Sequence, residues 1–172
     1  TRLPVQDGQH YCGHSSRLER TIVEKHLHAC LYAGLTISGI NAEVSPDQWE
    51  FQVGPCVGIQ AADQLIIARY LLERIAEMYN VNVNYYPKPS QNINGSGCHL
   101  NFSTASMRSI GGLKIIESCM PKLNKRHTEH IAVYGEHNDL RLTGKHETSD
   151  LNQFSFGVGT RNTSVRIPTQ TA

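Results

Sequence analysis

Two glutamates, Glu43 and Glu50, lie in short runs of alternating polar and apolar residues on either side of a Ser-Pro-Asp turn at 45–47. The apolar positions of the two runs are Ile40, Ala42, Val44, Trp49, Phe51 and Val53. Side chains alternate along a strand with a period of two, so this pattern predicts a β-hairpin with both glutamates on its polar face. Two carboxylates on one face repel each other unless a cation or a proton lies between them. The sequence therefore suggests a metal site, although the hairpin alone favours two solvated glutamates.

Later segments add polar side chains of complementary chemistry. Residues 98–103 alternate in the same way, and their polar positions are His99, Asn101 and Ser103. Arg141 and Arg166 each stand between two apolar residues. If these segments share one sheet with the hairpin, its open face collects oxygen ligands suited to Mg²⁺ or Mn²⁺, one imidazole, and arginines that bind phosphate or carboxylate oxygens. This combination is typical of phosphoryl transfer. Neither a P-loop nor a GxGxxG motif occurs, so a nucleotide would have to be held another way.

The elements that position these residues are helices and short strands. Helical spacing predicts a helix over 17–33 that stops at Gly34, and a second helix capped by Asp63. Strands are predicted over 36–54 as the hairpin, over 81–86 and over 98–103. A helical pattern over 112–134 should kink or split at Pro121. Short extended pieces are expected at 140–142 and 164–167. The mixture predicts an α+β fold with helices on one face of the sheet.

Composition limits the classes of function. The 172 residues suffice for one domain with a core, and the net charge of +1 gives no electrostatic footprint for nucleic acid. Apolar runs such as 65–68 are far too short to span a membrane. Five cysteines without a close-spaced pair argue against a disulfide framework and a zinc knuckle, and they are expected to be small buried hydrophobes in a reducing cytoplasm. The chain starts at Thr1 rather than Met, which suggests a fragment.

Six blocks of sequence carry a resemblance to a known family. They are Asn41-Ala42-Glu43-Val44, Trp49-Glu50-Phe51-Gln52-Val53-Gly54-Pro55, Asn94-Gly95-Ser96-Gly97-Cys98-His99 with Asn101-Phe102-Ser103, Arg141-Leu142-Thr143-Gly144, His146-Glu147-Thr148-Ser149 and Arg166-Ile167-Pro168. In this order they resemble the catalytic domain of glutamine synthetase of the eukaryotic-like type II group. The resemblance implies an α+β fold with an antiparallel curved sheet and helices packed on its outer face. Residues 1–172 would then be part of that domain, without the N-terminal β-domain, an upstream acidic strand and the C-terminal part.

The resemblance also implies an activity, the ATP-dependent ligation of ammonia to L-glutamate through a γ-glutamyl phosphate. The implied metal ligands, for Mg²⁺ or Mn²⁺, are Glu43, Glu50 and His99. The implied glutamate-binding residues are Asn94, Gly95, Arg141 and Arg161. The implied ATP-binding residues are Glu50, Phe51, Gln52, Val53, Gly54, Pro55, Asn101, Phe102, Ser103, Arg161 and Arg166. The implied catalytic residues are Arg161 and Arg166, which neutralise the transferring phosphoryl group, and Glu147, a flap residue that closes over the acyl phosphate.

The resemblance further implies a cytoplasmic homo-oligomer, a double ring in the family, with active sites shared between subunits and with ATP, L-glutamate and ammonium as partners. No nucleic acid and no membrane is expected. Two alternatives remain open at this point, a ligase that joins glutamate to another amine and a non-catalytic structural or binding relative. The 172-residue chain by itself is expected to be inactive, because metal affinity depends on the number of ligands. It is also expected to aggregate through exposed sheet edges.

Overall fold

The computed structural model describes residues 17–43, 45, 47–91, 94–145 and 148–171. Val44, which we predict on the apolar face of the hairpin, and Glu147, which we predict as a flap residue, lie outside these ranges. The chain divides into two units, Thr1–Tyr85 and Tyr86–Ala172. The elements are helices and small sheets, which confirms the α+β class. Across the described ranges, each helix is too short or too polar to cross a bilayer.

The first unit begins with helix α1, Arg17–Tyr32, as the spacing predicts. Gly34 adopts a positive φ of 80°, and the N–H groups of Gly34 and Leu35 donate to the carbonyls of Leu31 and Cys30 at 3.0 and 2.9 Å. These bonds satisfy carbonyls at the helix end, which is why a glycine stands there.

Strands β1, Ile37–Ala42, and β2, Trp49–Val53, form the predicted antiparallel hairpin. The register pairs Asn41 with Glu50 and Ala42 with Trp49, and it shifts between Ile37 and Gly39. Partners across a ladder point to the same face, so the polar and apolar positions separate as the alternation predicts.

Helix α2, Gln60–Glu77, and helix α1 cover the apolar face of the hairpin. The ring of His26 on α1 meets Phe51 edge to face at 4.8 Å, and the guanidinium of Arg20 lies 5.4 Å from the centre of the Trp49 ring. The prediction that Asp63 caps α2 was wrong. The N-cap residue is Ile59, and Asp63 lies in the first turn, where its charge still favours the helix dipole.

The second unit contains helices α3, Gly112–Lys125, and α4, His127–Ala132. Pro121 lies inside α3, and the break comes at Arg126 rather than at the proline. The half-buried or buried positions of α3, among them Met120, continue with helical spacing across Pro121 to Leu123. Packing of this stripe therefore outweighs the cost of a proline in the helix.

Strands β3, Phe156–Val158, and β4, Val165–Ile167, form a two-stranded parallel sheet. Strand β4 confirms the extended piece predicted at 164–167. The strands predicted at 81–86 and 98–103 were wrong, because neither segment joins a ladder in the described parts of the chain. Alternation by itself does not supply the hydrogen-bonding neighbour that a strand requires. The curved antiparallel sheet is accordingly not confirmed.

Candidate functional site

The polar face of the hairpin brings Glu43 and Glu50 together. Glu50 is the direct partner of Asn41, and the N–H of Glu43 donates to the carbonyl of Gln48 at 2.9 Å, which extends the same register by one step. Glu43 and Glu50 are therefore diagonal neighbours, a relation that separates the two positions by about 7–8 Å. Both residues are half-buried. This spacing leaves room for a cation between two carboxylates, and their oxygens suit Mg²⁺ or Mn²⁺.

Gln52 fixes the orientation of the Glu50 carboxylate. Its Nε2 donates to Oε1 of Glu50 at 3.0 Å and to Oδ1 of Asn41 at 2.7 Å. The side chain lies across the ladder above Gly39, where an added Cβ would come within 2.6 Å of its Oε1. The glycine thus gives Gln52 the space to reach Glu50.

The predicted ATP-binding run continues from Glu50 through Phe51, Gln52 and Val53 to Gly54 and Pro55. Phe51 points to the helices through its contact with His26 and leaves only its backbone for the polar side. The N–H of Gly54 donates to the carbonyl of Thr36 at 2.7 Å, and the Gly54–Pro55 peptide bond is cis. The chain turns away from the sheet at this point.

Beneath this hairpin, burial lowers the pKa of His26, and a bond to the Ala68 carbonyl opposes the shift in part. Nε2 of His26 lies 2.9 Å from that carbonyl oxygen and 3.2 Å from Sγ of Cys30. The neutral imidazole ties α1 to α2 directly under Phe51, so it supports the strand that carries Glu50.

Arg141 is the centre of the second unit's candidate site. The extended piece predicted at 140–142 was wrong, since a 3₁₀ turn spans Asn138–Leu140 and Arg141 follows it. The half-buried side chain of Arg141 packs against the glycine-rich segment. A Cβ added at Gly95 would lie 2.7 Å from its Cγ, and one added at Gly97 would lie 3.3 Å from its Nη1. The predicted neighbours Gly95 and Arg141 are therefore in contact, and Asn94 beside them is half-buried.

Burial lowers the pKa of Arg141, while the nearby Cys98 raises it. The side-chain acceptor of its guanidinium hydrogen bonds is the neutral amide oxygen of Asn138, 3.4 Å from both Nε and Nη2. The partly desolvated charge is thus held by an amide oxygen, which leaves it attractive to an anionic ligand. Cys98 itself is exposed, so its expected burial was wrong.

The predicted metal ligand His99 and the predicted nucleotide contacts Asn101, Phe102 and Ser103 lie on an exposed segment. A Cβ added at Gly97 would lie 3.9 Å from Nε2 of His99, so this imidazole and the guanidinium of Arg141 flank the same glycine. Arg108 donates through Nη1 to the carbonyl and the hydroxyl of Ser103 at 3.1 and 2.8 Å. It fixes the end of the segment.

The predicted flap residue Glu147 lies outside the described residues, but hydrogen bonds connect the described segments on either side of it. An antiparallel bridge joins Thr143 to Asp150, and the N–H of Leu151 donates to the carbonyl of Leu142 at 3.0 Å. The hydroxyl of Thr148 lies 2.9 Å from the carbonyl oxygen of Arg141. Thr148 is thereby tied to the backbone at Arg141, and its own N–H donates to the carbonyl of Lys145 at 3.2 Å.

Arg161 and Arg166 belong to the β3–β4 region of the second unit. Arg166 pairs with Gly157 across the parallel ladder, and both arginines are exposed. Thr160 packs over Gly157, whose added Cβ would meet its Oγ1 at 2.9 Å. The arginines are thus presented by a short strand and the loop before it.

The predicted residues form two groups, the carboxylates of the first unit and the imidazole and arginines of the second. Among the described residues, no three His, Cys, Asp or Glu side chains form a group that could hold a metal ion. The metal site stays a prediction. Sequence reasoning missed two supporting residues, Arg108 and Asn138. The position of Asn138 three residues before Arg141, one helical turn, was an available signal.

Alignments with known proteins include the predicted residues of both groups. The family model for the catalytic domain of glutamine synthetase matches residues 2–109. A glutamine synthetase of Agaricus bisporus is 57% identical over 173 residues, which cover 99% of this chain and 49% of the relative. Those of Yarrowia lipolytica and Saccharomyces cerevisiae are 55% and 54% identical, and the alignments cover 99% and 98% of this chain and 48% and 46% of the relatives. The chain thus spans about half the length of the curated relatives it matches, and it belongs to the glutamine synthetase catalytic-domain family.

Proposed function

We propose that this chain is part of a glutamate–ammonia ligase that makes L-glutamine from L-glutamate, ammonia and ATP. The observation that carries the proposal is the 57% identity to a glutamine synthetase along 99% of the chain. The acidic face of the hairpin supports it, because paired carboxylates of fixed orientation are what a phosphate-bound divalent cation needs.

In the first unit, Glu43 and Glu50 would hold Mg²⁺ or Mn²⁺. The bound cation would neutralise charge on ATP phosphate oxygens and on the glutamate carboxylate. Gln52 holds one oxygen of Glu50 in place, so this carboxylate does not have to reorient when the ion binds. The backbone from Phe51 to Pro55 would lie along the nucleotide.

In the second unit, the Arg141 guanidinium would bind a carboxylate of L-glutamate beside Asn94 and Gly95. His99 would ligate a second cation near the ATP phosphates, with Asn101, Phe102 and Ser103 near the nucleotide. Arg161 and Arg166 would stabilise the negative charge of the phosphoryl group as it moves from ATP to the γ-carboxylate. Glu147 would close over the resulting acyl phosphate, exclude water and guide ammonia to the carbonyl carbon, from which phosphate leaves.

Two further parts of the proposal concern the setting of the enzyme. A homo-oligomer with shared active sites is proposed from the family resemblance. A cytoplasmic location is proposed because the described cysteines, Cys30, Cys56, Cys98 and Cys119, are all free thiols.

The test is an assay of the protein that carries this chain, purified at its natural length. Glutamine formation and phosphate release from ATP are measured with Mg²⁺ or Mn²⁺, with ammonia and, in parallel, with methylamine and ethylamine. Glutamine must form in a one-to-one ratio with phosphate. Glu50→Gln should lower kcat/KM by at least about a hundredfold, since even the outer partners of metal ligands contribute ten- to a hundredfold. Asp139→Asn, an exposed change, is the matched control and should leave the rate unaltered.

Three results would contradict the proposal. The first is phosphate release without glutamine, and the second is a preference for an organic amine over ammonia. The third is an unchanged rate in Glu50→Gln. A protein without ATP-dependent turnover that still binds L-glutamate would instead indicate a binding relative.

A further inference from the structure

We propose that Asn138 is a positioning residue for Arg141, and that it occupies one edge of the guanidinium so that the other edge receives the substrate carboxylate. This inference rests on the proposed function and extends it to a residue outside the predicted site.

The two edges of the guanidinium are distinguishable in the structure. An arginine offers five N–H donors, arranged as a side edge of Nε with Nη2 and an end edge of Nη1 with Nη2. Oδ1 of Asn138 lies 3.4 Å from Nε and 3.4 Å from Nη2, which places it in the fork of the side edge. A bidentate carboxylate therefore has the end edge as its fork.

The Asn138 side chain is itself held in one orientation. Its Nδ2 donates to the carbonyl of Tyr134 at 2.8 Å and to that of Gly135 at 3.2 Å. Turning the amide over would place its NH₂ group against the guanidinium and its one oxygen against the carbonyl oxygens of Tyr134 and Gly135. The backbone adds to the link, since the N–H groups of Arg141 and Leu142 donate to the carbonyl of Asn138 at 3.1 and 2.8 Å.

Two glycines lie against the opposite side of the Arg141 side chain. Its Cγ and Cδ lie 2.7 and 3.0 Å from the Cβ position of Gly95, so the stem of the side chain rests on the backbone there. Nη1 lies 3.3 Å from the Cβ position of Gly97, on the end edge. The absence of a side chain at this position keeps that edge from being covered by residue 97.

The chemistry of an amide at position 138 matters as much as its place. Hydrogen bonds of 3.4 Å are long and therefore weak. The main effect of Asn138 is thus on the orientation of the guanidinium rather than on its stability. A neutral oxygen also leaves the positive charge uncompensated, whereas a carboxylate at this position would compete with the carboxylate of the ligand.

The test compares two variants with a neighbour control in the protein that carries this chain at its natural length. Asn138→Leu removes the oxygen and both donors in a similar volume, and Asn138→Asp keeps an oxygen in the fork but adds a charge. Asn138→Leu should raise the KM for L-glutamate about tenfold or more, the lower bound for outer partners of a binding group, and change the KM for ATP less than about threefold. Asn138→Asp should raise the KM for L-glutamate as well, and Asp139→Asn should change neither constant.

A second arm separates positioning from general damage to the fold. In an Arg141→Lys background, Asn138→Leu should have no further effect on the KM for L-glutamate, because two residues that act through one contact are not additive. A factor that persists in this background would overturn the inference, as would equal increases in both KM values or an unchanged KM for L-glutamate.

A third arm does not depend on turnover. The Nε–H of Arg141, observed by NMR, should exchange with solvent at least about tenfold faster in Asn138→Leu, because its only side-chain acceptor among the described residues is lost. An unchanged exchange rate would overturn the positioning. A protein that shows this change but makes no glutamine would refute the proposed function and the carboxylate site, while the positioning of Arg141 by Asn138 would stand.

Discussion

The hairpin that carries Glu50 and the loops that carry Arg141 are held by different kinds of interaction. Of the nine buried hydrophobic residues in the described part of the chain, seven belong to the first unit, and the second unit contributes Met120 and Ile167. Glu50 stands on a strand that is paired on one side and packed against two helices on its other face. Arg141 is positioned by an amide side chain and by close approach to glycines. A backbone ladder with a core fixes the first group, whereas individual polar contacts fix the second.

This difference predicts unequal local stability, which is its largest measurable consequence. Amide hydrogens of α1, α2 and the hairpin open only with much of the packed unit, while residues 98–103 join no ladder in the described ranges. We expect exchange at 98–103 to be at least about a thousandfold faster than in α2, because local opening spans from near zero to the global free energy of unfolding. Hydrogen exchange by mass spectrometry on this chain measures both.

The same experiment contains its own control in α3, which is helical but belongs to the second unit. Protection in α3 equal to that in α2 would show that the shortage of buried residues does not weaken the second unit. Protection at 98–103 equal to that in α2 would contradict the predicted difference in local stability.

The Gly95→Ala substitution tests whether close approach holds the Arg141 region. The new Cβ would lie 2.5 Å from the carbonyl oxygen of Pro87, which also accepts a 2.8 Å bond from the N–H of Ser96, and 2.7 Å from Cγ of Arg141. Overpacking of this kind should destabilise the second unit by about 2–3 kcal/mol. Urea denaturation, with hydrogen exchange of residues 94–97 as the probe, measures this loss of stability.

Gly97→Ala is the matched control for this prediction. Its Cβ would meet Nη1 of Arg141 at 3.3 Å, at the movable end of a side chain, so we expect a loss below about 1 kcal/mol. A larger loss for Gly97→Ala than for Gly95→Ala would contradict the account of the packing.

The hairpin was predictable from sequence because the residues that determine it are close together in the chain. A period of two over six residues defines the face of each side chain, and a short turn forces the two runs to pair. The stop of α1 at Gly34 was predictable for the same reason, since one residue with a positive φ ends a helix. The acidic pair of Glu43 and Glu50 follows from this register without any knowledge of the rest of the chain.

The surroundings of Arg141 were not predictable in this way. Flanking apolar residues indicated a strand, but the chain forms a 3₁₀ turn here. The side-chain hydrogen bonds of Asn138 to the carbonyls of Tyr134 and Gly135 accompany this turn. The contact of Arg141 with Gly95 joins positions 46 residues apart, and no periodicity encodes such a pair. The alternation of 98–103 likewise predicted a strand but could not provide its neighbour.

His26 provides a pH-dependent test of the first unit. Burial lowers its pKa in the folded state, so the unfolded chain binds the proton first, at its ordinary value of about 6.5. Stability contributed by the neutral imidazole is therefore present above that pH and is lost as the pH falls below it. The slope is at most about 1.4 kcal/mol per pH unit, and we expect the free energy of unfolding to be lower at pH 5.5 than at pH 7.5.

The fluorescence of Trp49, the single tryptophan of the chain, follows urea unfolding of this unit at both pH values. His26→Gln keeps an N–H that can donate to the Ala68 carbonyl but does not titrate, so it should lose most of the pH dependence. His28→Gln changes an exposed histidine of the same helix and should retain it. The same slope in His26→Gln as in the unsubstituted chain would show that His26 is not the titrating group.

Gln52 gives the smallest effect and the closest test of how the hairpin holds its carboxylate. Gln52→Met keeps the length of the side chain but loses both hydrogen bonds, to Glu50 and to Asn41. Because these groups are only half-buried and water can replace the lost donor, the total cost should be about 0.5–1.5 kcal/mol. If the ladder alone fixed Glu50, stability would fall and Mn²⁺ affinity would not. Because Gln52 reaches Oε1 of Glu50 directly, we expect Mn²⁺ to bind about tenfold more weakly in the protein of natural length, measured by calorimetry. Unaltered Mn²⁺ affinity beside reduced stability would mean that the backbone register, rather than the amide of Gln52, orients this carboxylate.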